Sequence, residues 1–122
     1  MEGNGKILVF VELPAGELDE TGRGVLSYGS RLAGILDTPW GAVTPVAPAG
    51  ETLAGFGAFG APAITYMEGG GLLLDTPALL GKSFAQLATE ERGTVIVLPH
   101  NDLGATLAPV IAAALDAASS PR

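Results

Sequence analysis

Lys6-Ile7-Leu8-Val9-Phe10-Val11-Glu12 is the stretch that decides the fold. It is an unbroken apolar run bounded by a charge at each end. A strand with one wet face alternates apolar and polar residues; a run without alternation suits a strand covered on both faces, as in a parallel sheet. Parallel strands need long crossover connections, so the rest of the chain must supply helices between further strands.

Reading outward from this strand, Leu13-Pro14-Ala15-Gly16 is a turn. Residues Glu20 to Leu36 predict a helix, with Val25, Tyr28, Leu32 and Ile35 recurring at steps of three and four as one apolar stripe. Asp37-Thr38-Pro39 stops it. Trp40 to Ala47 (WGAVTPVA) predicts a second strand, with Pro45 inside it; proline removes a ladder donor and so demands an edge or a bulge. A short helix follows over Glu51 to Phe59, with Gly60 as its left-handed terminator. Ala63 to Met67 is the third strand, and Glu68 to Leu74, with its Gly69-Gly70-Gly71, is a flexible loop.

Thr76-Pro77 predicts the start of a third helix, with a capping hydroxyl and a proline at the first helical position. That helix runs to about Arg92 with Leu80, Phe84 and Leu87 on one face, and Gly93 closes it. Thr94 to Leu98 (TVIVL) is the fourth strand. The last helix carries Leu107, Val110, Ile111, Ala114 and Leu115. Pro109 belongs in its first turn, where a backbone N–H has no partner to lose, so the helix is expected to start near Ala105. The tail from Ala117 to Arg122 reads as frayed.

Strands alternating with helices specify an α/β fold: a three-layer, Rossmann-like parallel sheet flanked by helices, with right-handed crossovers. The expected strand order is 3-2-1-4. The 122 residues make a single domain, 1–122. A hydrophobic fraction of 48% against 16% charged residues supports a folded core, and the low charge hints at apolar surface meeting a partner.

The net charge of -7 and only six Lys and Arg argue against nucleic acid and against anionic membranes. With no cysteine, thiolate metal sites, disulfides and thiol catalysis are excluded, and a single histidine excludes a metal site needing two imidazoles. Met1 to Gly5 carry no basic segment of a secretory signal, and no apolar run reaches the roughly 18 residues of a membrane span, so a cytoplasmic location is expected.

In an open parallel sheet, ligands bind beyond the C-terminal strand ends where the strand order reverses. With order 3-2-1-4 that point lies between the first and fourth strands. There Glu12 faces the segment Pro99-His100-Asn101-Asp102-Leu103-Gly104. Glu12, His100, Asn101 and Gly104 are the switch-point candidates: His100 as a proton carrier, and the N–H groups entering the last helix as an anion cradle. Opposing this, Glu12 and Asp102 bring negative charge, and a lone loop histidine is more often an exposed or capping residue. No nucleophile–histidine constellation assembles. The turn after the first strand, Leu13 to Asp19, lacks the G-x-G-x-x-G spacing of a dinucleotide site, and Gly69-Gly70-Gly71 is followed by neither lysine nor a helix as in a P-loop. Trp40, Tyr28 and Tyr66 read as core or rim aromatics.

Taken together, several segments resemble the N-terminal domain of electron-transfer-flavoprotein alpha subunits. They are the opening strand Lys6 to Glu12, the Arg31-Leu32-Ala33-Gly34 helix end, Gly41-Ala42-Val43-Thr44, Gly60 to Tyr66, and above all Thr94 to Gly104 running on to Leu107-Ala108-Pro109 and Ala112 to Leu115. The resemblance covers nearly the whole chain in order and spacing. It implies a structural domain that builds a subunit interface and supports flavin-based electron transfer, with no catalytic side chains of its own. It implies a beta-like subunit or another flavoprotein as partner, and FAD held by a further domain that this chain lacks, so that the chain reads as truncated before the FAD domain and binds no cofactor alone. Three departures stand out: Ala105 and Val110 replace basic residues of the family pattern, Pro45 and Pro48 interrupt the second-strand region, and no residue matches a flavin contact. Two further readings stay open: an AMP- or ATP-binding module at the switch point, and a homo-oligomeric interaction protein that associates through its apolar surface.

Overall fold

The computed structural model describes residues 5–119. Residues 1–4 and 120–122, which carry most of the N-terminal reading and the end of the tail, lie outside the described residues. The strands are β1 (Lys6–Phe10), β2 (Trp40–Thr44), β3 (Ile64–Tyr66) and β4 (Gly93–Val97). The helices are α1 (Glu20–Leu36), α2 (Gly50–Ala58), α3 (Pro77–Glu90) and α4 (Asp102–Ser119), with short 3₁₀ turns at Pro14–Gly16 and Gly70–Leu73. The four strands are all parallel, in the order β3-β2-β1-β4. This is the α/β architecture and the strand order that the sequence predicts.

β1 is central and almost wholly buried, as its unbroken apolar run requires. Its residues divide between two cores. Ile7, Val9 and Val11 pack with Val25, Leu26, Trp40 and Phe56 under α1 and α2. Leu8 and Phe10 pack with Leu80, Phe84, Leu107 and Ile111 under α3 and α4. Phe10 and Phe84 meet edge to face, ring centres 5.6 Å apart and planes at 83°, a geometry that aligns ring edge with ring face. At the N-terminal end of the sheet, Lys6 Nζ donates to Glu91 Oε1 at 2.8 Å.

Several local expectations are corrected. The buried face of α1 is Gly22, Val25, Leu26, Gly29 and Ala33, whereas Tyr28 is 52% and Ile35 79% exposed. The cause is close approach: a Cβ on Gly29 would run into Val9 Cγ2, and one on Gly22 would sit 3.2 Å from Val11 Cγ1. Glycines that read as non-apolar thus form the contact face, turning the large side chains outward.

β2 ends at Thr44, so Pro45 follows the strand and interrupts no ladder of this inner strand. Gly69-Gly70-Gly71 is built into a 3₁₀ turn; Gly70 is buried, and a Cβ there would lie 2.8 Å from the Pro45 carbonyl oxygen. Pro77 does open α3, but Thr76 makes no side-chain capping bond. Gly93 is the first residue of β4, and Arg92 takes the left-handed position after α3 with φ 61°. Asp37 does the same after α1, with φ 51°. α4 begins at Asp102, not near Ala105, which leaves Pro109 inside the helix. Its backbone continues through Ser119, beyond the predicted start of fraying at Ala117.

Candidate functional site

The loops after β1, β3 and β4 converge at the C-terminal end of the sheet, because every strand is parallel. Glu12 lies two residues past β1, and Asn101 lies immediately before α4. The predicted meeting of the two is realised: Asn101 Nδ2 donates to Glu12 Oε1 at 3.2 Å. The same side chain caps α4, its Oδ1 accepting from the Gly104 N–H at 2.9 Å. An asparagine satisfying a first-turn donor is a strong start signal, and it explains why the helix begins before Ala105 despite Pro109.

Gly104 is buried, and a Cβ there would overlap the Pro99 carbonyl oxygen. Its need for a bare backbone is therefore accounted for by packing of the loop on the first turn of α4.

Two open clefts flank this pair. One, of about 560 Å³, is bordered by Glu12, Asp75, Pro77, Asn101, Asp102 and Thr106. The other, of about 520 Å³, is bordered by Leu98, Pro99, His100, Asn101, Gly104 and Ala108. No Lys or Arg borders either cleft. Asp75 and Thr106 were not foreseen as lining residues. Topology alone places Asp75 here, since the β3–α3 connection must pass over the same end of the sheet.

The electrostatics follow from this inventory. Three carboxylates, from Glu12, Asp75 and Asp102, border one cleft. One of the leading α4 donors, the Gly104 N–H, is already engaged by Asn101. A helix N-terminus attracts an anion when its N–H groups are free and its surroundings are not already negative; here both conditions are weakened. His100 is exposed, with no hydrogen bond found to it among the described residues, and it borders the second cleft and a third groove beside α1. Among the described residues no cluster of three or more His, Asp or Glu has a metal-holding arrangement, and no helix is long and apolar enough to cross a membrane.

Trp40 belongs to the core under α1, while Tyr28 and Tyr66 are rim residues, 52% and 46% exposed. Of the four switch-point candidates, Glu12, Asn101 and Gly104 are joined in one structural cluster, and His100 stands outside its hydrogen bonds. Compared with known proteins, the chain matches no family model, no curated protein and no solved structure.

Proposed function

We propose that this chain is a structural, interface-forming domain related to the N-terminal domain of electron-transfer-flavoprotein alpha subunits, one that supports flavin-based electron transfer without holding the flavin or catalysing a step. The observation that carries the non-binding half of this reading is the acidic, internally bonded switch point. Asn101 spends its amide on Glu12 and its carbonyl on the α4 N-terminus. A phosphate arriving there would meet carboxylates and no cation. The family relation is supported by the ordered segments described above and by a parallel 3-2-1-4 sheet; a fold of this class hosts many functions, so the segments carry that part. A partner such as a beta-like subunit, with FAD supplied from elsewhere, belongs to the same proposal.

Titration calorimetry with FAD, AMP and ATP tests it. A flat trace to millimolar ligand is expected. Saturable binding of FAD would overturn the assignment of the flavin to other sequence, and saturable binding of AMP or ATP would favour the nucleotide-binding alternative. The informative variant for that alternative is at Asn101, because substituting Gly104 would disturb packing against Pro99 whether or not a ligand binds.

A further inference from the structure

Among the described residues, Thr44 and Thr52 are the only buried polar side chains. Both lie at the C-terminal end of the sheet, on the side covered by α1 and α2. Thr44 ends β2 and shares a face with Trp40 and Ala42, which pack under α1. Thr52 lies in the first turn of α2. The Leu13–Gly16 turn after β1 closes over the same side. Leu13 is buried with Ala42 and Phe56. A Cβ on Gly16 would lie 3.6 Å from the carbonyl oxygen of Ala47, on the loop that leaves Thr44.

The closed turn carries two local costs. Ala15 sits at φ 56° and ψ 24°, in the left-handed region that disfavours any residue with a Cβ. Asp37 and Arg92 share that region but follow α-helix ends, whereas Ala15 lies inside the turn itself. On the same side, Thr44 Oγ1 is buried with no hydrogen-bond partner among the described residues, so its desolvation is uncompensated. Against these stand the burial of Leu13 and a tie to α2 at one oxygen. Thr52 Oγ1 donates to the Gly16 carbonyl at 3.0 Å, and the Ala49 N–H reaches the same oxygen at 3.4 Å. Lifting the turn would return Ala15 to right-handed backbone and admit water to Thr44.

We infer that the Leu13–Gly16 turn is a latched strap: it lifts from α2 as a unit while the sheet stays folded, and Thr52 is its latch. The open state uncovers a polar spot at the ends of β1 and β2, made of the Thr44 and Thr52 hydroxyls and the Gly16 carbonyl. The closed state conceals it. Local openings of this kind are cheaper than global unfolding because they give up few apolar contacts. The strap is independent of the flavoprotein reading, which requires neither state.

The chain has no cysteine, so one introduced thiol reports the opening. Thr44→Cys places it on the strap side, and Val43→Cys places it one residue earlier, in the core under α3 and α4. Each is labelled with a thiol reagent at rising, sub-denaturing urea. Thr44→Cys should label through an opening almost independent of urea, and Val43→Cys only with the full urea dependence of global unfolding. Adding Thr52→Val removes the latch bond and should speed labelling of Thr44→Cys about tenfold. Adding Ala15→Gly relieves the backbone and should slow it about two- to fivefold. Adding Ile111→Val, in the other core, should speed Val43→Cys about fivefold and leave Thr44→Cys unchanged. Full urea dependence at Thr44→Cys, a response of that thiol to Ile111→Val, or its indifference to Thr52→Val would each overturn the strap.

Discussion

Asn101→Asp is the sharpest perturbation of the switch point. The substitution keeps an acceptor for the Gly104 N–H, and aspartate caps a helix as well as asparagine does. What changes is the other half of the side chain, where an amide donor 3.2 Å from Glu12 Oε1 becomes a second carboxylate oxygen. Losing a hydrogen bond to a charged acceptor costs about 1.5 kcal/mol. Two like charges at about 4 Å repel by roughly 1 kcal/mol at the dielectric of water and roughly 4 kcal/mol in a more protein-like medium. Glu12 is only half-buried, so the lower part of that range applies. The sum is about 2–3 kcal/mol, or a fall in Tm of about 10 °C for a domain of this size. Urea denaturation at neutral pH measures it. Adding Glu12→Gln to Asn101→Asp should restore most of the loss, because the amide is then on the other partner. An Asn101→Asp chain as stable as the parent, or a double variant no better than the single one, would refute the Glu12–Asn101 pairing at the switch point.

Three further outcomes follow from the packing. Thr44 Oγ1 is buried without a hydrogen-bond partner among the described residues, so Thr44→Val should raise stability by about 1 kcal/mol, read as a higher denaturation midpoint. Phe84→Ala removes a fully buried ring that meets Phe10 edge to face; it should cost about 3–5 kcal/mol and move the thermal transition accordingly. Pro109 lies inside α4 and cannot donate to the carbonyl one turn earlier, so Pro109→Ala should stabilise by about 1–2 kcal/mol once the greater freedom of the unfolded chain is counted, and a destabilised variant would show that the proline shapes a required bend.

Much of the fold was legible in the sequence because its signals were strong and local. The unbroken apolar run from Ile7 to Val11 suits a doubly covered strand, and the alternation of strands with helices then points to a parallel sheet. The meeting of Glu12 with Asn101 was legible too, since strand order alone brings those loops together. The departures share a physical cause: tertiary contacts set details that spacing does not encode. The contact face of α1 is rotated because Gly22 and Gly29 admit Val11 and Val9, an effect no hydrophobic stripe displays. Gly70 is fixed by Pro45, a residue distant in sequence. Pro109 argued for a late start to α4, but the Asn101 cap and the buried Leu107 and Ile111 hold the helix from Asp102. Asp75 joined the cleft through topology, not through a motif.

On the proposed reading, the C-terminal end of the sheet is an acidic cluster held by the Glu12–Asn101 pair and seats neither a flavin nor a nucleotide. The most direct measurement is an amide chemical-shift titration of the labelled chain with FAD and with AMP to millimolar concentration, followed at Glu12 and at Leu98 to Thr106. No saturable shift at these positions is predicted. Saturable shifts centred on Asn101 to Gly104 would contradict it.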